Sequence, residues 1–129
     1  MAIKVRSLDH LVLTCRHVQA SIAFYCDRLG MRREEFGEGR FAVHFGEQKL
    51  NLHPHPTPHG PLVARVAEPG TADLCFLIEG SLEDAEVALQ RADVKIEKGP
   101  IERTGATGPI RSLYVRDPDG NLVELSVKA

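Results

Sequence analysis

Leu8-Asp9-His10-Leu11-Val12-Leu13 and Ala72-Asp73-Leu74-Cys75-Phe76-Leu77-Ile78 are the two stretches that decide the fold. Each is an alternating, apolar-rich run that reads as a strand, and each is followed by a segment with helical spacing. A similar closing strand ends each copy: Lys49-Leu50-Asn51-Leu52-His53 in the first and Asn121-Leu122-Val123-Glu124-Leu125-Ser126 in the second. The chain therefore reads as one unit written twice, with His10 the counterpart of Asp73 and Asn51 the counterpart of Glu124. A pseudo-twofold relation between the copies would direct these four polar residues toward one axis, which makes them a candidate metal or ligand site.

Working outward, the alternation predicts a strand over 7–14. Apolar residues at Val18, Ile22, Phe24, Tyr25 and Leu29 predict a helix that Gly30 stops. Short strands follow at 31–36, 40–45 and 48–53, separated by glycine-bearing turns. The stretch 54–70 is dense in proline, which supports neither a helix nor a central strand, so it reads as a linker or lid. In the second copy a strand over 71–79 leads to a helix capped by Ser81 with Asp84, whose buried stripe is Leu82, Ala85, Ala88, Leu89 and Ala92. A strand near 94–98, a polar loop over 99–109, a strand over 110–116, the turn Asp117-Pro118-Asp119-Gly120 and a last strand to about 127 complete it. Matching His10 to Asp73 gives a smaller offset than matching Asn51 to Glu124, and the loop 99–109 is read as the insertion that makes up the difference.

At 129 residues the chain suits a single domain, 1–129, made of a first unit over 1–53, the linker 54–70 and a second unit over 71–129. Hydrophobic residues at 43% and charged residues at 26% match an ordinary globular domain, and no apolar run has the length of a membrane span, so no membrane partner is expected. A net charge of −2 with acids and bases interspersed leaves no basic stripe for phosphates, which argues against nucleic acid. The amino terminus shows no secretory signal pattern, and Cys15, Cys26 and Cys75 lack the spacing of a zinc knuckle or redox pair, so a cytoplasmic location with reduced thiols is expected.

Sorting each strand by the two-residue alternation yields two chemically distinct faces. One carries Leu11, Leu13, Phe41, Val43, Phe45, Leu50, Leu52, Leu74, Phe76, Ile78, Leu113, Val115, Val123, Leu125 and Val127, the face for the helices. The other carries His10, Val12, Thr14, Ala42, His44, Lys49, Asn51, His53, Asp73, Cys75, Leu77, Ser112, Tyr114, Leu122, Glu124 and Ser126. A sheet with one wet face alternates in the same way. The second set is poor in Lys and Arg and rich in residues that ligate metals and orient substrates, which favours a cavity wall. The expected fold is α+β: two tandem βαβββ units forming a curved mixed sheet around a cavity, with the helices on the convex face.

Together with the first of the two opening stretches, the segments Ser21-Ile22-Ala23-Phe24-Tyr25-Cys26-Asp27-Arg28-Leu29-Gly30-Met31 and Tyr114-Val115-Arg116-Asp117-Pro118-Asp119-Gly120-Asn121-Leu122-Val123-Glu124-Leu125 resemble the vicinal oxygen chelate superfamily of glyoxalases, bleomycin-resistance proteins and extradiol dioxygenases. The resemblance is greatest to glyoxalase-domain proteins of unsettled substrate. It implies a divalent metal (Zn, Ni, Mn, Fe or Co) held by His10 and Glu124. The position of a third ligand, usually His, holds Asp73 here, and the fourth position holds Asn51, with His53 on the same face as a substitute. It further implies a homodimer.

The resemblance implies a metal-dependent lyase, isomerase or dioxygenase acting on a small oxygen-rich substrate, with Glu124 as the catalytic residue. The alternative is a metal-free small-molecule binding protein like those of bleomycin resistance, although the absence of Trp leaves few flat platforms for a large planar drug. Tyr114, His44, Asn51 and Arg103 are the expected substrate-binding residues, Arg103 as a clamp for an anion. Arg111 falls on the helix-facing set, and His17, His55 and His59 are read as structural or surface residues.

Overall fold

The computed structural model describes residues 2–129. The chain divides into two compact units, one ending at Glu68 and the other beginning at Pro69. The first unit contains β1 (His10–Cys15), α1 (Val18–Ile22) running into a π-helical stretch (Ala23–Arg28), β2 (Arg32–Phe36), β3 (Arg40–Phe45) and β4 (Gln48–Pro54). Its strands form a four-stranded sheet in the order β1-β4-β3-β2, with β1 parallel to β4 and the remaining pairs antiparallel. The second unit repeats this plan with β5 (Asp73–Leu77), α2 (Leu82–Arg91), β6 (Lys98–Gly105), β7 (Gly108–Arg116) and β8 (Leu122–Lys128), in the order β5-β8-β7-β6 with β5 parallel to β8. Both sheets are mixed and open, and the fold class is α+β, as expected from the repeated strand–helix–strand pattern.

The helices choose the face that the alternation assigned to them. In the first unit α1 packs on β3 and β4, and Ile22, Phe24 and Tyr25 are buried together with Leu13, Val43, Leu50 and Leu52. In the second, α2 packs on β7, and Leu82 and Leu89 are buried with Leu113, Val115, Val123 and Leu125. Each such side chain gains about 1.5–3 kcal/mol on leaving water, which fixes both the face and the strand register. The cap is in place, with the Ser81 hydroxyl accepting from the Asp84 N–H at 3.0 Å. Arg111, expected on the helix side, donates to Glu83 of α2 at 3.2 Å.

The Asp117–Gly120 turn is built by its own side chains. Asp117 Oδ1 accepts from the N–H groups of Asp119 and Asn121, each at 2.9 Å, and Asn121 Nδ2 donates to Asp117 Oδ2 at 2.7 Å. The Ala72 N–H in turn donates to Asn121 Oδ1 at 2.8 Å, so the turn before β8 also anchors the entry to β5.

Several expectations need correction: only Lys98 of the strand expected near 94–98 lies in a strand, and Ala88 of the expected helix stripe is exposed. Regular pairing in β1 begins at His10 rather than at residue 7. The helix read over 18–29 changes from α to π geometry at Ala23. The polar loop expected over 99–109 is instead most of a hairpin: β6 runs from Lys98 to Gly105 and β7 starts at Gly108, with Ile101 paired to Ser112 and Arg103 to Ile110. Glycine and proline at 99–100, 105 and 108–109 suggested a loop, but they occupy an irregularity and a tight turn, and the residues between them pair normally. The insertion therefore lengthens a hairpin. β6 and β7 have 8 and 9 residues where β2 and β3 have 5 and 6.

The register shifts between Lys98 and Ile101, and Gly99 sits in that shift with φ of 110°. A Cβ there would lie 2.3 Å from the backbone oxygen of Ser112. Gly99→Ala is expected to lower unfolding stability by about 2–4 kcal/mol, through backbone strain and forced separation of β6 from β7, measured by urea denaturation.

Candidate functional site

On the polar face of the second unit, β8 lies between β5 and β7, so each outward residue of β8 has a neighbour on both sides. Glu124 is flanked by Cys75 and Tyr114, Ser126 by Leu77 and Ser112, and Leu122 by Asp73 and Arg116. The Glu124 carboxylate is partly buried and held through one oxygen. Ser112 Oγ donates to Oε2 at 2.5 Å, Ser126 Oγ lies 3.5 Å from the same oxygen, and the two hydroxyls are 2.7 Å apart. Both serines are fully buried, so this support is shielded from water. A hydroxyl-to-carboxylate bond of this length is of the strong, charge-assisted kind.

Arg103 Nε donates to the Tyr114 hydroxyl at 2.9 Å, and its guanidinium lies 5.7 Å from the centre of the tyrosine ring. Around these residues lies a pocket of about 510 Å³ lined by Asp73, Lys98, Arg103, Tyr114, Arg116 and Glu124 among others. Arg116 is tied down at its edge by Glu97 at 2.7 Å and by the Gly120 carbonyl at 3.2 Å. The Arg116 hydrogen bond draws the Glu97 carboxyl below its usual range. Cys75 Sγ lies 3.3 Å from Ser126 Oγ. Its thiol is pushed up, chiefly by partial burial of the sulfur and further by the Glu124 carboxylate, so it stays protonated near neutral pH and is a poor nucleophile.

The first unit presents a separate polar face. Across β1, β4 and β3 the rows are His10–Lys49–His44 and Val12–Asn51–Ala42, with Thr14 beside His53. His10 Nδ1 lies 2.9 Å from an Asp9 carboxylate oxygen, an exposed contact of little energetic weight that orients the ring and leaves Nε2 available. His44 Nε2 meets Glu34 Oε1 at 2.7 Å, and this bond holds the Glu34 carboxyl below its ordinary value. Asn51 is 7% exposed and its Oδ1 has no hydrogen-bond partner. The His53 ring lies 4.6 Å from that of His59. Burial first, then the charges of His59 and Arg40, lower the His53 pKa.

The structure thus brings Asp73, Arg103, Tyr114 and Glu124 around one pocket in the second unit, and puts His10, His44, Asn51 and His53 on one sheet face in the first. Among the described residues no group of three or more His, Cys, Asp or Glu side chains is assembled to hold a metal ion. Sequence reasoning placed Ser112 and Ser126 on the right face but missed them as the support of Glu124. It also missed Lys98 and Arg116 as pocket residues. Lys98 pairs with Tyr114 across the hairpin, a pairing hidden while 99–109 was read as a loop.

With this fold and site in view, the family follows. The sequence profile of the Glyoxalase/Bleomycin resistance protein/Dioxygenase superfamily matches residues 7–125, and the chain belongs to that superfamily. Among its relatives are the glyoxalase domain-containing protein RDO1 of Mycosarcoma maydis, 52% identical over 96% of this chain and 69% of that protein, and the virulence protein STM3117 of Salmonella typhimurium, 45% identical over 92% and 82%. An integron cassette protein from the mobile metagenome of V. cholerae superposes with a TM-score of 0.95, at 44% identity and over 100% of both chains. No helix among the described residues is long and apolar enough to cross a membrane.

Because the folded state disfavours the charged form of His53, the unfolded chain takes up its proton first on acidification. This residue therefore costs no stability well above about pH 6.5, and stability falls as the pH drops below that value. Urea midpoints at pH 7.5 and 5.5 should therefore drop on acidification more in the wild type than in His53→Asn.

Proposed function

We propose that this chain is a divalent-metal-dependent lyase, isomerase or dioxygenase that acts in the cytoplasm, as a homodimer, on a small oxygen-rich substrate, with Glu124 as its working carboxylate. One observation carries the reading: Glu124 lines a pocket, and its Oε2 is held there by a buried serine hydroxyl. A carboxylate on a sheet face between Val123 and Leu125 is costly to desolvate, and that cost is accepted most readily where a cation or donor completes its shell.

The donor chemistry suits a divalent ion. His10 has its Nδ1 against the Asp9 carboxylate, the outer contact that metal-binding imidazoles commonly make, and His53 is held toward its neutral form. His10, Asp73 and Glu124, with His53 as a further ligand, would supply one or two imidazole nitrogens and two carboxylates, a set suited to Zn, Ni, Mn, Fe or Co. When bound, the ion would stabilise negative charge developing on a substrate oxygen.

The chain's own residues do the rest. Ser112 keeps Glu124 Oε2 engaged and so fixes the carboxylate at the pocket wall, where it would accept a proton or a ligand. Tyr114 and Arg103, locked to each other, orient the substrate and supply positive charge beside the carboxylate. On the first unit the unpartnered Asn51 Oδ1 is an acceptor for an N–H or O–H of a bound molecule, and His44, fixed by Glu34, presents its ring on the same face.

A metal-free binding protein is the second reading. It is favoured by the fact that no three His, Cys, Asp or Glu side chains are gathered to hold a metal ion among the described residues. Elemental analysis after reconstitution with each candidate metal separates the two. The enzyme reading expects near-stoichiometric metal in the wild type and at least tenfold less in His10→Ala and in Glu124→Ala. A wild-type protein that takes up none of the five metals overturns it in favour of the binding reading.

A further inference from the structure

A second pocket lies beside the first in the second unit. It measures about 530 Å³ and shares Arg103 and Glu124 with the pocket described above, but its character is different. The first pocket is walled mainly by charged groups, with Lys98 and Arg103 offering positive charge and Asp73 and Glu124 offering acceptors. The second runs along the edge strand β5 and the tip of the β6–β7 hairpin, where Cys75, Leu77, Ala106 and Ile110 supply apolar wall. Leu77 is 60% exposed there, a large aliphatic side chain directed away from its own core. Each chamber is in the size range of small-ligand sites, and the two meet at the proposed working carboxylate.

From this juxtaposition we infer that the ligand is bipartite: a hydroxylated carboxylate head beside Glu124 with an aliphatic tail in the chamber bounded by Leu77 and Ile110. The inference rests on the reading of Glu124 given above and names the class of molecule the site takes. The head follows from charge. Lys98 and Arg103 pair with a carboxylate, while Glu124, the proposed working carboxylate, faces the neighbouring hydroxyl. The tail follows from Leu77 and Ile110, which gain nothing from a purely polar ligand and bury apolar area when a hydrocarbon chain lies on them. Arg103, shared by both chambers and held by Tyr114, marks the point where head meets tail.

The test is a calorimetric titration of the chain with sodium glycolate, 2-hydroxyhexanoate and 2-hydroxyoctanoate. Each buried methylene is expected to tighten binding about fourfold, so 2-hydroxyhexanoate should bind on the order of a hundredfold more tightly than glycolate. Leu77→Asn, at an exposed position that the core does not need, should reduce the advantage of the longer acids by about tenfold and leave glycolate binding unchanged. Arg103→Gln should weaken all three acids by about the same factor. Equal affinities across the series, or a chain-length dependence unchanged in Leu77→Asn, overturn the tail chamber while leaving the metal result for Glu124 untouched. Failure of all three acids to bind overturns head and tail together. The elemental analysis is an independent measurement, so the two readings fail separately.

Discussion

The contact between the Ser112 hydroxyl and the Glu124 carboxylate is the constraint on which the second unit's polar face depends. β8 is an inner strand, so any side chain it sends outward is hemmed in by β5 and β7. A carboxylate in that place needs donors, and the antiparallel pairing of β7 with β8 supplies them by setting Ser112 opposite Ser126, one step along from Glu124. The apolar packing of α2 makes this possible from the other side. With Leu113, Val115, Val123 and Leu125 committed to the core, alternation leaves Ser112, Glu124 and Ser126 no direction but outward.

The equivalent place in the first unit shows what happens when those donors are missing. Asn51 occupies the inner strand β4 between Val12 and Ala42, neither of which has a polar side-chain atom to offer, and its Oδ1 is left unpaired. Glu124 between Cys75 and Tyr114, with the Ser112 and Ser126 hydroxyls beside it, has one oxygen secured and lines a pocket. The same backbone plan therefore yields a strongly supported carboxylate in one unit and an unsatisfied amide in the other. Among the described residues the Asn51 amide oxygen is the exception to the rule that buried polar groups are paired internally, whereas Glu124 obeys it.

Much of this was legible in the residues. The repeat, the mixed βαβββ order, the helix-facing rows and the polar rows were all readable, because two-residue alternation and 3.6-residue spacing are strong signals when the core is committed on one side only. Arg111 was assigned to the helix side and meets Glu83 there. What the residues hid was the hairpin between Lys98 and Arg116. Its glycines and prolines mimic a loop, and only the pairing of Ile101 with Ser112 and Arg103 with Ile110 reveals a strand with one irregularity. Because that pairing was hidden, so was Lys98 as a pocket residue.

Sequence alone determined which side chains share a face, since a strand's alternation is local and a single register error would have moved Leu or Val to the wrong side of every sheet. It could not determine which residues across strands become neighbours. That Ser112 reaches Glu124, that Arg103 locks onto Tyr114 and that Leu77 stands exposed beside a chamber all depend on register between strands distant in the chain. Such register is chosen by the packing of whole sheets against their helices, a balance of many small burial terms that no short stretch of residues contains.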